Sequence, residues 1–324
     1  MQNSSAATRH FMVFDEALNG TMNLESMVRG TIVKGEPMSK HTSWRVGGPA
    51  ETFFKPADIN DLSSYLKNIA SNEPVMFVGL GSNLLVRDGG IKGTVVLTSG
   101  LLNGIELISP TQLRVEAGVA CGKAAKVAAK NNLVGIEFLA GIPGTMGGAL
   151  RMNAGAFGGE TWDWVAGVET MDRNGERHLR MPQEYEVGYR SVKGFNDEWF
   201  VAAHLALKPG DSEAATARIK QLLARRNESQ PTNLPNCGSV FRNPEDDFSA
   251  RLIESAGLKG LCIGGACVSE KHANFIINAN NATASEIEQL IDKVASTVEQ
   301  VHSIRLVREV HIVGEALSLN GGEN

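Results

Sequence analysis

The spacing of apolar and polar positions lays out most of the chain. ETFFK at 51–55 reads as a strand, and Asp58 then caps a helix whose apolar period continues to about Ala70. VMFV at 75–78 is an unbroken apolar run, as expected of a buried strand. It leads directly into GLGSNLLVRDGG at 79–90 and a further strand at 94–97. Strand, helix and strand in this order predict a βαβ unit whose second strand ends in a glycine turn. Strands are expected near 105–109 and 112–117, followed by an alanine-rich helix from about Gly122 to Asn131. Two extended segments flank Asn174 and Gly175, the strongest short-range hairpin signal in the chain. A strand at 200–207 closes this part, Pro209 and Gly210 break the pattern, and Asp211 caps a helix running to about Asn227. The loop QPTNLPNCGSVFRNP follows, then a helix near 248–256 and a strand at 274–278. Thr283 and Glu286 form a capping box that opens a long helix, with Ile287, Leu290, Ile291, Val294, Val298 and Val301 as its buried stripe. A last strand is expected at 306–313, and the chain shows no internal repeat.

One stretch fits no period. GIPGTMGGALRMNAGAFG at 141–158 carries six glycines and no charge except Arg151. Glycine costs roughly 1 kcal/mol against alanine in regular structure, so such a run belongs where backbone approaches a large ligand or turns through positive φ. A flexible linker is the bland alternative. Linkers, however, are polar, whereas Ile142, Met146, Leu150, Met152 and Phe157 are spaced as if buried. GLGSN at 79–83 adds a turn after a strand, where backbone N–H groups can converge on an anion such as pyrophosphate. It is neither a P-loop nor a full G-x-G-x-x-G, and alone it is as often a structural turn. Together the two segments suggest a long ligand with a diphosphate at one end and an apolar ring system at the other. A flavin dinucleotide has that shape.

Composition narrows the partners. At 324 residues, two or three domains are expected from ~100–200 residues per domain. Apolar residues make up 42% and charged residues 21%, which argues for a soluble globular chain and against disorder. A net charge of −5 without a dense Lys/Arg run argues against nucleic acid. Four cysteines are too few for a disulfide framework, so a reduced cytoplasm fits. Cys262 and Cys267 lack zinc-like spacing and have only His272 nearby, so no metal is expected. No signal-peptide pattern is present and no segment approaches the ~20 apolar residues of a membrane span. Residues 1–28 have no clear period and read as an N-terminal extension.

Seven motifs then occur in order: HTSWRVGGPA at 41–50, GLGSNLLVRD at 79–88, the glycine run at 141–158, GYR at 188–190, GSVFRNP at 238–244, GLKG at 257–260 and EKHANFIIN at 270–278. From about residue 30 to 314 the chain resembles the UDP-N-acetylenolpyruvoylglucosamine reductase (MurB) family, flavoenzymes of peptidoglycan precursor synthesis. The resemblance implies an α+β protein: a two-part FAD-binding fold of the vanillyl-alcohol-oxidase (PCMH) type, at 29–100 and 101–210, and a C-terminal α+β substrate-binding domain at 211–324. It implies a cytoplasmic monomer that uses non-covalent FAD and NADPH to reduce UDP-N-acetylglucosamine enolpyruvate to UDP-N-acetylmuramate. The expected FAD positions are Thr42 in the first motif and Gly79, Gly81, Ser82, Asn83 and Leu84 in the second. The third motif contributes Gly141, Ile142, Pro143, Gly144, Gly147, Gly148, Asn153 and Gly155.

In this reading a hydride from flavin N5 reaches the enolpyruvyl methylene carbon, and charge spreads into the adjacent carboxylate. Arg190 matches the family arginine that grips that carboxylate, a task suited to a permanently charged fork of donors. Ser239 matches the family proton donor to the neighbouring carbon, and Glu309 the glutamate that holds or polarises the carboxyl group, in protonated form if buried. Tyr189, Arg242, Asn243, Lys259, His272 and Asn274 stand in motifs that line the family's UDP-sugar site. The chain lacks the inserted segment with a substrate-covering tyrosine and so resembles the second type of the family. Cys237, two residues before Ser239, reads as a small loop filler. The competing readings are a related FAD oxidase with covalent cofactor and a nucleotide-sugar-binding regulatory protein.

Overall fold

The computed structural model describes residues 24–194 and 197–317. Its first sheet has the order Thr31–Pro37, Pro49–Lys55, Ile91–Leu97, Val75–Val78; the first pair is antiparallel and the others are parallel. The crossover helix Ile59–Asn68 is capped as expected, Asp58 accepting from Asp61 N at 2.9 Å, and it buries Leu62, Tyr65 and Leu66 against Phe54 and Val96. The strand at 31–37 is not among those expected from the sequence, and Leu24 and Val28 pack on the same core.

A second, antiparallel sheet runs Arg177–Arg180, Val165–Asp172, Glu198–Ala206, Gln112–Glu116, Ile105–Ser109, with the Asn174–Gly175 turn joining its first two strands. One face packs on the helix Cys121–Lys130 and on a short helix, Met146–Met152, that forms inside the glycine run. Another core belongs to the C-terminal part, where Ala284–His302 covers the small sheet Cys262–Ile263, Ala266–Val268, Ile276–Asn278. Thr283 and Glu286 make the expected capping box, but the buried stripe ends at Val298, and Val301 is 56% exposed.

Two further expectations are corrected. The extended segment at 306–313 is a strand only over His311–Val313, because Arg308 makes an isolated bridge to Phe241 and Val307 stays exposed. Cys262 and Cys267 are joined as a disulfide, so the chain is not wholly reduced; antiparallel pairing sets the two residues directly opposite each other.

The motifs that look least chemical join the parts. Asp88 accepts from the N–H groups of Ala284 and Ser285 at 3.0 and 2.9 Å, satisfying the long helix's first donors from another segment. Such a cap contributes about 1 kcal/mol. Arg87 grips Glu288 on the same helix with two hydrogen bonds of 2.9 and 2.8 Å, and buried Trp44 donates to the Ile276 carbonyl at 2.7 Å. His311–Val313 pairs in parallel with Leu84–Val86, directly after the GLGSN turn. That pairing brings the end of the chain to the glycine segments.

Candidate functional site

Both glycine segments line one cavity of ≈ 700 Å³, within the range of small-molecule sites. Their glycines serve two purposes. Gly79 lets the segments touch, since a Cβ there would lie 2.2 Å from Thr145 Oγ1. Gly144 and Gly148 do the opposite: a Cβ on either would meet nothing closer than 3.5 Å, so the space they leave belongs to the cavity they line. Among the described residues, the backbone N–H groups of Leu80, Gly81, Ser82 and Asn83 find no protein acceptor. Consecutive free donors in a turn form an anion cradle, and the bare backbone beside it suits a flat ring. These residues fit FAD.

Of the expected cofactor positions, Gly79, Gly81, Ser82, Asn83 and Leu84 line the cavity, as do Gly141, Ile142, Pro143, Gly144, Gly147, Gly148 and Gly155. Thr42 and Asn153 do not. Thr42 is buried with its hydroxyl donated to the Val46 carbonyl at 2.7 Å, and Asn153 ends the 146–152 helix with its amide bonded within the protein.

The three residues expected to carry the reaction converge on the same cavity. Arg190 occupies the two-residue turn between Glu186–Gly188 and Ser191–Lys193, with φ of 52°. Its guanidinium donates from Nη2 to the Gly155 carbonyl at 2.7 Å and from Nε to Glu309 Oε1 at 3.2 Å. Glu309 is held from both sides: its N–H donates to the Val240 carbonyl at 2.8 Å, and the Glu309 carbonyl accepts from Asn83 Nδ2 at 3.1 Å. The first of these bonds sets it beside Ser239, which follows the left-handed Gly238 at φ of 73°. Burial pushes the Glu309 carboxyl above the usual range, against the opposing pull of Arg190 and Arg242.

The expected substrate positions lie around this centre rather than in its lining. Asn274, 3% exposed, clamps the Ser239 loop by accepting from Phe241 N and donating to the Phe241 carbonyl, at 3.0 and 2.8 Å. Asn243 accepts from Ser249 N at 3.1 Å at the start of the helix Ser249–Ser255. Tyr189 is exposed with the Arg190 guanidinium 5.0 Å from its ring centre, and Lys259 pairs with Glu254 at 3.1 Å. Among the described residues, Arg242 Nε and His272 Nδ1 are buried without a hydrogen-bond partner, and burial lowers the His272 pKa.

Sequence reasoning missed Phe77, Trp199, Arg226, Gln230, Phe275 and His311, all of which line the cavity. His311 was within reach, being two residues from Glu309 in an extended segment and so on the same side. Phe77 and Trp199, stacked at 4.8 Å, come from different sheets and carry no shared local signal. Cys237 also borders the cavity, and burial pushes its thiol up to about 12, which makes it a filler rather than a nucleophile.

Comparison with known proteins agrees with this geometry. Residues 230–313 match the family model for the C-terminal domain of UDP-N-acetylenolpyruvoylglucosamine reductase, and residues 50–179 match an FAD binding domain. Reductases of that name from Legionella pneumophila (strain Lens) and Methylococcus capsulatus are each 57% identical, over 289 and 288 residues, covering 89% of this chain and 94% and 95% of theirs. The crystal structure of the MurB enzyme from Thermus caldophilus superposes with a TM-score of 0.75 at 31% identity, over 88% of this chain and 98% of that one. The 6-hydroxy-D-nicotine oxidase of Arthrobacter nicotinovorans shares the fold alone, with a TM-score of 0.55 at 12% identity over 89% of this chain and 90% of that one. The α+β class and the FAD-binding fold expected from the sequence are those found.

Proposed function

This chain belongs to the UDP-N-acetylenolpyruvoylglucosamine reductase family of FAD-dependent oxidoreductases, and we propose that it reduces UDP-N-acetylglucosamine enolpyruvate to UDP-N-acetylmuramate at the expense of NADPH, with Arg190, Ser239 and Glu309 at the reacting centre. The observation that carries the assignment of residues is their convergence: one ion pair and one backbone hydrogen bond join three distant segments at the wall of a cavity whose other wall is bare glycine backbone.

The two glycine segments would hold FAD, which when bound would supply the hydride. Everything else falls to side chains. As negative charge spreads from the substrate's α-carbon into its carboxylate, Arg190 offers a fixed fork of donors that is already oriented before the reaction begins. Ser239 delivers a proton to that carbon, an act open to so weak an acid only because the acceptor is a strongly basic carbon in a water-poor site. Glu309, with its raised pKa, holds the carboxyl end as a hydrogen-bond donor when protonated. Arg242 and His272, each with an orphaned buried nitrogen, are proposed with Tyr189 and Lys259 for the UDP-sugar end, while Asn243 and Asn274 hold the loop in place. Residues 29–100 and 101–210 are assigned to the cofactor and 211–324 to the substrate, in a cytoplasmic monomer. Among the described residues, no helix is long and apolar enough to cross a membrane.

The test is direct. The purified protein should be yellow, should release flavin on denaturation, and should sustain turnover of NADPH beyond one equivalent per flavin only when the enolpyruvyl substrate is present under anaerobic conditions. A colourless protein without substrate-dependent turnover would sink the proposal.

A pH profile tests the state of Glu309. Its folded-state pKa lies above the ordinary carboxylate value, so the protonated form persists to higher pH than for an exposed glutamate and is lost as pH rises through that raised pKa. Activity that needs the proton falls on the alkaline side of the same transition. Glu309→Gln keeps a donor at every pH, so its kcat/KM should lose that limb; an alkaline limb that persists in Glu309→Gln would mean that it belongs to another group and that Glu309 is not the proton-bearing residue.

A further inference from the structure

Asn153 sits where the sequence suggests a cofactor ligand, yet every polar atom of its side chain is engaged inside the protein. It ends the 146–152 helix in the left-handed region at φ of 41°, is 2% exposed, and lines no part of the cavity. Its Oδ1 accepts from Trp162 N at 3.1 Å, while Nδ2 donates to Glu160 Oε2 at 2.8 Å and to the Gly188 carbonyl at 3.1 Å. Gly188 lies two residues before Arg190.

The segment that carries Arg190 has little else to hold its tip. Residues 186–189 are all exposed, whereas the anchors at the root of the hairpin are Val192, which is buried, and the Arg151 hydrogen bond to the Val192 carbonyl at 3.1 Å. Arg190 itself stands at a positive φ that a non-glycine residue adopts only under constraint from its surroundings. Besides the ion pair of Arg190 with Glu309 at 3.2 Å, the constraint visible at the tip comes from the glycine segment: the Asn153 amide on Gly188, and the carbonyls of Asn153 and Gly155 that receive the Arg190 guanidinium at 3.4 and 2.7 Å.

We propose that Asn153 is a positioning residue for Arg190, a tie between the glycine segment and the Arg190 hairpin, and not a ligand of the cofactor. The tie links the wall that seats the flavin to the group that meets the substrate, so the two are held at one spacing. This rests on the reading of Arg190 as the group that meets the substrate's carboxylate.

Two variants test it. Asn153→Gly tolerates the left-handed backbone but removes the amide. Asn153→Asp combined with Glu160→Gln keeps the acceptor for Trp162 N, removes the donor to Gly188 and avoids two facing carboxylates; it is read if the first variant fails to fold. Expected results are wild-type flavin content, faster hydrogen exchange confined to 186–193, and turnover reduced by up to about 10²-fold, the scale of a small misplacement of a reacting group. With Arg190→Met already present, the Asn153 change should cost no further turnover, because both act through the same guanidinium. Loss of flavin with unchanged exchange in 186–193 would overturn the proposal and restore Asn153 as a cofactor ligand. Full additivity with Arg190→Met would overturn it equally. The exchange measurement needs no substrate, so a wild-type protein that fails to turn over would refute the functional reading without touching the tie.

Discussion

Ser239→Ala is expected to leave FAD bound and reducible by NADPH while slowing its reoxidation by UDP-N-acetylglucosamine enolpyruvate by about 10²–10⁴-fold, the range of a lost general acid. The structure makes this a clean substitution. The loop does not depend on the hydroxyl: Gly238 N donates to Asn236 Oδ1 at 2.9 Å, Val240 N donates to the Asn274 carbonyl at 2.9 Å, and the Asn274 side chain clamps Phe241. Among the described residues the Ser239 hydroxyl has no hydrogen-bond partner, so alanine strands no donor or acceptor. Rapid mixing of each half-reaction under anaerobic conditions separates the two steps. If reoxidation by substrate proceeds at the wild-type rate, the proton comes from elsewhere.

What the sequence revealed of the fold was local. Asp58, Asp211 and the Thr283/Glu286 box each accept or exchange hydrogen bonds within three residues, so the helix starts they mark are found where they were expected. The strand Thr31–Pro37 escaped because its TIVKGEP pattern never settles into alternation; most of it is exposed, and its partner Pro49–Lys55 supplies the order. The segment at 306–313 misled in the opposite way, reading as one strand while only its last three residues pair as a strand and the rest is held by an isolated bridge. The disulfide became visible only once pairing set Cys262 against Cys267, since a spacing of five residues says nothing about register.

The site divides along the same line. Glycine runs are legible because glycine is costly wherever it is not needed, and nearly all of the expected backbone positions border the cavity. Arg190, Ser239 and Glu309 carry no such mark, and only the ordered motifs singled them out. Residue type also failed to separate side chains that face a ligand from those that hold a loop. Thr42, Asn153, Asn243 and Asn274 are polar, stand in the right motifs, and are hydrogen-bonded to the protein's own backbone. That distinction is a matter of direction, which sequence does not encode locally.

Arg190→Met is expected to lower kcat by about 10²–10³-fold, the scale seen when a preoriented donor to a developing anion is removed. Flavin should stay bound, because the free N–H groups of the GLGSN turn and the bare backbone at Gly144 and Gly148 do not involve Arg190. Methionine meets the same backbone demand at this position as arginine, so the comparison isolates the guanidinium. Arg190→Lys should recover only a small part of the loss: an ammonium keeps the charge but cannot donate together to the Gly155 carbonyl, to Glu309 and to a substrate carboxylate in a fixed plane. A second consequence fixes the sign. Arg190 opposes the upward shift of the Glu309 pKa, so its removal lets burial push that carboxyl higher still, and the alkaline limb of the pH profile should move to higher pH in Arg190→Met. In the Arg190→Met/Glu309→Gln double variant the limb should vanish, and the combined loss in kcat/KM should fall short of the product of the two single losses, as expected for groups that grip one carboxylate together. Independent, multiplicative losses would show that the Arg190–Glu309 ion pair comes apart when substrate binds and that the two residues serve separate steps.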